Sequence, residues 1–368
     1  MKIVLLQEHL LSAIQSAGKF SSTDSQFAAL GGISLNAKEG SLTVRSTNLK
    51  VGYETVVGAK IEEEGTCIVL SKTFIEFIST LTKGKVECFF DQGSFFVTQM
   101  GVKGKFSTFS VSDFPQFPLK TERTFSLPSD LLLQLTDSTT YAAGIDESRP
   151  VLASVLFEGS SDSTTMVCTD GYRLALKTIQ NSDNEENTFS FIVNAKVFTE
   201  TIHTLVKEKS KTIEFGVSQE LKQVYLYAGE TTVFMRLTEG EFPPYKKIIP
   251  SSFLIRTKID TSQFIQSLRN SLVFAKENSS IVTLAYESGK ITVTSSSATL
   301  GENETHLDSS YTGEEKGVIS FNARFVLDTL LHISSPQIEM CLNDASKPVV
   351  IFPDKDDSYC CVIMPFKR

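Results

Sequence analysis

One pattern returns along this 368-residue chain at intervals of about 125 residues, and it limits the possible fold more than any other feature. The segment Leu70-Ser-Lys-Thr-Phe-Ile-Glu-Phe-Ile-Ser-Thr-Leu81 comes back as Val193-Asn-Ala-Lys-Val-Phe-Thr-Glu-Thr-Ile-His-Thr-Leu205. It comes back again as Phe321-Asn-Ala-Arg-Phe-Val-Leu-Asp-Thr-Leu-Leu-His-Ile333. Lys72, Lys196 and Arg324 occupy the same place in each copy, with apolar residues at helical spacing behind them. Three further helical stretches interleave, at 5–17, 127–140 and 260–274. The chain therefore reads as six related half-units in three domains, at residues 1–122, 123–250 and 251–368. A surface repeated three times suits presentation better than one catalytic pocket.

Between the helices the residues alternate or are rich in Val, Ile, Phe and Thr, with glycines and short polar turns between the runs. Strands grouped between helices, rather than alternating with them one for one, predict α+β domains. Each domain has two helices packed on largely antiparallel sheets. The domain boundaries follow proline-marked exits, Asp113-Phe-Pro-Gln-Phe-Pro118 and Phe242-Pro-Pro-Tyr245.

Composition then excludes several classes. With 41% hydrophobic and 21% charged residues, each domain can bury an ordinary core. No apolar run reaches the roughly 18 residues of a membrane span, and the N-terminus lacks a signal-peptide pattern. The expectation is a cytoplasmic protein with no membrane partner. Six cysteines without Cys-x-x-Cys spacing read as buried free thiols. Phosphate-loop, dinucleotide, nucleophile-elbow and His-Glu-x-x-His motifs are missing, so no catalytic residue, metal or cofactor is expected. Asp170 and Arg173, three apart in a turn, read as a structural ion pair. Net charge is −8, yet the six helical regions sum to +2, which leaves −10 on everything else. Positive helices on an acidic body give the charge a direction.

Three stretches are more particular: Thr169-Asp-Gly-Tyr-Arg-Leu-Ala175, Glu239-Gly-Glu-Phe-Pro-Pro-Tyr-Lys-Lys-Ile-Ile-Pro250 and the ending Val362-Ile-Met-Pro-Phe-Lys-Arg368. With Glu147-Ser-Arg-Pro-Val-Leu152 and the threefold repeat, they resemble the bacterial DNA polymerase III β subunit family, the sliding clamps, in order along the whole chain. That resemblance implies three DNA-clamp domains and a head-to-tail homodimeric ring around double-stranded DNA, with helices inside and sheets outside. It implies Lys72, Lys196 and Arg324 on the inner wall, attracting phosphates without reading sequence.

The resemblance also implies a pocket for short peptide motifs of the polymerase III alpha subunit, the clamp loader and other partners. Its lining would be Leu152, Thr169, Gly171, Tyr172, Arg173 and Leu174 from the middle third, with Pro243 and Ile248 from the exit segment. Pro348, Val362, Met364, Pro365 and Phe366 would complete it, with Asn322 and Phe325 at the edge. Arg173 or Lys367 would meet acidic or carbonyl groups of the ligand. The ring joint would set Phe106 against Leu272 and Val273. One departure is Ser21–Leu30, where Asp24 stands in place of a common DNA-facing arginine, which argues against DNA contact at that loop. A ring-forming interaction scaffold without DNA work is the alternative reading.

Overall fold

The computed structural model describes residues 1–22, 27–118, 121–181, 188–208, 210–287, 289–313 and 316–366; Asp24 and Lys367 lie outside them. The first third runs β1 (Lys2–Leu6), α1 (Gln7–Gly18), β2 (Gly32–Lys38), β3 (Ser41–Thr47), β4 (Val51–Gly58), β5 (Lys60–Glu63), β6 (Gly65–Leu70), α2 (Ser71–Thr80), β7 (Lys85–Asp91), β8 (Ser94–Gln99) and β9 (Val102–Phe109). The middle third runs β10 (Phe125–Pro128), α3 (Ser129–Thr139), β11 (Ser154–Gly159), β12 (Ser163–Thr169), β13 (Arg173–Gln180), β14 (Phe189–Asn194), α4 (Ala195–Lys207), β15 (Thr212–Ser218), β16 (Gln223–Ala228) and β17 (Thr231–Arg236). The last third runs β18 (Ile255–Asp260), α5 (Thr261–Ala275), β19 (Ile281–Glu287), β20 (Lys290–Ser297), β21 (Gly301–Thr312), β22 (Gly317–Asn322), α6 (Ala323–Leu331), β23 (Gln337–Leu342), β24 (Val349–Pro353) and β25 (Tyr359–Ile363). Apart from β5, each third is strand–helix–three strands, twice. The six half-units of the sequence are thus visible as six copies of one motif.

The short strands β10 and β18, directly ahead of their helices, were not separate elements of the sequence reading. Four to six residues that run straight into a helix give too little alternation to stand apart.

The chain forms two compact units, Met1–Asp130 with Glu200–Leu237 and Leu131–Thr199 with Thr238–Arg368. Each holds one antiparallel sheet system. The first is ordered β10-β15-β16-β17-β4-β3-β2-β6-β9-β8-β7-β1-β5, the second β14-β11-β12-β13-β25-β24-β23-β18-β21-β20-β19-β22. The helices pack on one face through stripes spaced three or four apart: Leu10, Ile14 and Ala17 on α1, Phe74 and Ile78 on α2, Phe264 and Leu268 on α5, Val326 and Leu330 on α6. In the first unit Phe20 stacks on Tyr53 at 5.3 Å, and Phe74 meets Phe95 and Phe106 edge to face.

All six cysteines are buried and free, and burial pushes the Cys67 thiol up to about 12. No helix among the described residues is long and apolar enough to cross a membrane.

Candidate functional site

The distinctive Thr-Asp-Gly-Tyr-Arg segment is the turn between β12 and β13. The Thr169 hydroxyl donates to the Arg173 carbonyl at 2.7 Å and accepts from the Gly171 N–H at 3.1 Å. Asp170 Oδ1 accepts from the N–H groups of Tyr172 (2.8 Å) and Arg173 (2.9 Å). Gly171 has φ +91°, a left-handed conformation that favours glycine. The same turn joins β3 to β4. There the Thr47 hydroxyl donates to Val51 O at 2.7 Å, and Asn48 accepts from Lys50 and Val51. A third version joins β20 to β21, where Ser297 accepts from Thr299 and Leu300 and Ala298 stands in the Asp170 position. Only the middle copy pairs its acid with an arginine.

The Arg173 side chain is only 12% exposed, and its guanidinium is held by the protein itself. Nε donates to Asp170 Oδ2 at 3.1 Å, Nη1 to Asp328 Oδ2 at 2.7 Å and Nη2 to the Tyr141 carbonyl at 2.9 Å. Its plane also lies over the rings of Phe325 (5.0 Å) and Tyr141 (5.6 Å). The expected Asp170–Arg173 ion pair is present. These three N–H groups form a clamp inside the protein.

Around this clamp the structure gathers part of the expected pocket. Tyr172, more than half exposed, stacks on Phe325 with centroids 6.2 Å apart. The Met364 N–H donates to the Tyr172 carbonyl at 2.8 Å, and the Phe366 N–H to Ser320 O at 2.7 Å. Those bonds lay the chain end along the turn and leave the Met364 and Phe366 side chains exposed. Leu174 faces Val362 across the β13–β25 pairing. Both belong to a buried apolar cluster with Leu156, Val167 and Tyr245, against which Ile248 packs.

Leu152, Pro243, Pro348 and Pro365 are half-buried and outside that cluster. Asn322 is turned to its own helix, where its side chain accepts from the Arg324 N–H and caps α6. Sequence reasoning missed Tyr141 and Asp328. Asp328 follows Arg324 by four residues, which on a helix suggests a local pair; the structure gives it Arg173 instead.

Lys72, Lys196 and Arg324 are all exposed, and none makes an ion pair with another described residue. Each is the second residue of its helix, α2, α4 or α6. The helix N-terminus carries partial positive charge, so a cation there costs about 0.3–1 kcal/mol at an exposed site. The interleaved helices carry Glu8, Asp130 and Ser262 at that position, as the dipole favours. Three exposed cations thus stand where the helix dipole disfavours them.

Strand pairing repeats as well. β6-β2-β3-β4-β17-β16-β15-β10 and β14-β11-β12-β13-β25-β24-β23-β18 are two eight-stranded sheets of one plan. In each, the strand after the repeated turn (β4, β13) pairs antiparallel with the last strand of the next third (β17, β25). What remains is β22-β19-β20-β21 and β9-β8-β7-β1-β5, each with four strands in the order of half such a sheet and β5 an added edge strand. Among the described residues, Val102–Ser107 of β9 pair only with β8, and Gly301–Asp308 of β21 only with β20. Phe106 on β9 is mostly covered by its own Phe74 and Phe77, at 5.3 and 5.4 Å. On α5, Leu272 is half-buried and Val273 exposed.

Comparison with known proteins adds the following. Family models of the DNA polymerase III beta subunit match residues 1–118 (N-terminal domain), 126–244 (central domain) and 246–367 (C-terminal domain). The beta sliding clamp of Streptomyces coelicolor is 27% identical over 377 residues, covering 100% of this chain and 99% of the relative. That of Haemophilus influenzae is 26% identical, covering 100% of both. The solved DNA polymerase III beta subunit of Thermotoga maritima superposes with a TM-score of 0.94 at 26% identity, covering 100% of this chain and 99% of that one. A Pseudomonas aeruginosa sliding clamp solved bound to griselimycin has the same fold, with a TM-score of 0.94 at 21% identity and full coverage of both chains.

Proposed function

This chain belongs to the DNA polymerase III beta subunit family, the sliding clamps, and from that membership we propose how its own residues carry out the work. It is a non-catalytic processivity factor: a ring of two head-to-tail copies encircles duplex DNA and tethers the polymerase and other proteins through a pocket. We assign the domains as residues 1–122, 123–250 and 251–368, a division that the family matches support.

The observation that carries the ring is the pair of unmatched half-sheets. In the two complete sheets, the fifth residue after the turn's hydroxyl residue faces a fixed position on the joining strand: Gly52 faces Phe234, and Leu174 faces Val362. The fifth residue after Ser297 is Glu302. Phe234 is the fourth residue of a strand that follows a two-residue turn, and on β9 that position is Lys105. Carried over to a second copy, the register sets Lys105 against Glu302 and Lys103 against Glu304, opposite charges in cross-strand positions. All four are exposed. On the helix-covered face Phe106 then approaches Leu272 and Val273, and both open edges are covered.

Lys72, Lys196 and Arg324 are the DNA-facing cations of this reading. A closed ring holds DNA by topology, so a few exposed phosphate contacts suffice and leave the clamp free to slide. The peptide site is the Leu174–Val362–Ile248 floor with the Tyr172–Phe325 and Met364–Phe366 rim, apolar and adaptable at its open side. Work on duplex beside the polymerase implies a cytoplasmic protein.

Retention on DNA tests the function. Loaded on a circular plasmid by a clamp loader, the protein stays in salt, and linearising the plasmid releases it. Equal loss from both forms would favour the interaction scaffold.

A further inference from the structure

We infer that Asp328 is a positioning residue for the peptide pocket, acting through Arg173 on the Tyr172–Phe325 rim; the inference rests on the pocket assignment above. Asp170 belongs to the same turn as Arg173 and satisfies Nε wherever α6 lies. Of the guanidinium's hydrogen bonds to Asp170, Asp328 and Tyr141, the 2.7 Å bond from Nη1 to Asp328 is the one that reaches α6, where the guanidinium also lies over Phe325. The fork thus joins the β12–β13 turn, the short turn at Thr140–Ala142 and α6. A cation so little exposed needs partners on every side that solvent does not reach.

What the fork fixes is the rim. Phe325 sits one helical turn before Asp328, under the guanidinium at 5.0 Å and beside Tyr172 at 6.2 Å. The Tyr141 ring is also stacked on the imidazole of His332, at 4.2 Å and 9°. Its hydroxyl donates to Thr329 Oγ1 of α6 at 3.2 Å. Tyr141 and α6 are thus held to each other independently of the arginine, and Asp328 is the hydrogen bond that keeps the guanidinium, and with it the Tyr172 turn, seated beside Phe325. Losing its charge leaves Arg173 on Asp170 and Tyr141 while Phe325 drifts from Tyr172.

Binding of a synthetic polymerase III alpha-subunit motif peptide to the full-length protein, followed by calorimetry, is the test. Asp328→Asn weakens binding by about fivefold, Asp328→Glu recovers part of the loss, and the unfolding midpoint stays within a few degrees. In a Phe325→Leu background, Asp328→Asn adds nothing, because the ring it positions is already gone. Losses that multiply across the two substitutions, or wild-type binding by Asp328→Asn beside a weakened Met364→Ala, overturn the inference alone. Wild-type binding by Met364→Ala removes the pocket assignment itself, and this inference with it. Should Asp328→Asn fail to fold, the same comparison is made with Asp328→Glu.

Discussion

Phe234 stands across the β4–β17 pairing from Gly52, and a Cβ built on that glycine would lie 2.2 Å from its ring. Phe117 packs edge-on against Phe234 at 5.1 Å, and Arg45 lies over Phe117 at 5.4 Å. At the matching place in the second unit two aliphatic side chains, Leu174 and Val362, face each other instead. The two joints share turn, strands and register, but their fillings differ. In the first, Gly52 leaves room for the Phe234 ring; in the second, Leu174 and Val362 are buried in a cluster with Tyr245, against which Phe242 and Ile248 pack.

Copying the aromatic joint onto the aliphatic one is a direct test. Leu174→Gly with Val362→Phe should weaken binding of a polymerase III alpha-subunit motif peptide at least tenfold by calorimetry. Losing the buried Leu174 side chain costs about 2–5 kcal/mol, and glycine within a strand about 1 kcal/mol more. The Val362→Phe ring offsets part of this, so a melting curve accompanies the measurement. Retained binding would count against this floor.

The joint between copies is best probed by charge. Lys105→Glu should raise the dimer dissociation constant, and Glu302→Lys in the same chain should restore it, read by analytical ultracentrifugation at low and high salt. Failure of the second change to rescue the first would dismiss the register. Phe106→Ala is a poorer probe. Phe106 fills its own domain, so truncation costs about 3–5 kcal/mol of fold stability whatever the partner does.

Replacing Lys72, Lys196 and Arg324 by Ala should lower DNA affinity and reduce the salt slope by about 1 for each phosphate no longer neutralised. Helix stability should hold or rise slightly, since each substitution removes a cation from the positive end of a dipole. A large fall in melting temperature would show the residues to be structural instead.

The α5 cap titrates. Asp260 Oδ1 accepts from the Gln263 N–H at 2.8 Å, and the Ser262 hydroxyl and that N–H hold its carboxyl below the usual range. Its stabilisation is therefore present above the unfolded aspartate pKa and is lost as pH falls through the lower folded value. Asp260→Ala should cost about 1 kcal/mol at neutral pH and progressively less in acid, measured by denaturant unfolding. A penalty independent of pH would rule out the charged cap.

The repeat, the helices and the antiparallel class were legible because Lys72, Lys196 and Arg324 head near-copies of one amphipathic helix. The turn at Thr169–Arg173 was legible because its residue types match a specific hydrogen-bond pattern. Other features were hidden. Nothing at Asp328 or Tyr141 marks them as partners of a residue more than thirty positions distant; that contact exists only after two thirds of the chain pair. Likewise, the packing of Phe234 depends on Gly52, in a different third, having no side chain. Such pairings are products of topology, and periodicity cannot reveal them.

Two of the three kinds of seam in the ring are crossed by the chain itself, through the exit segments after β9 and after β17. The seam between β21 and the next copy's β9 has no covalent bridge. Whatever force parts the ring to admit DNA works against strand hydrogen bonds, four exposed charges and a small apolar contact there, while polypeptide secures the other seams. In the proposed register that charged joint is the gate of the ring, and ionic strength is the natural lever on how readily it opens.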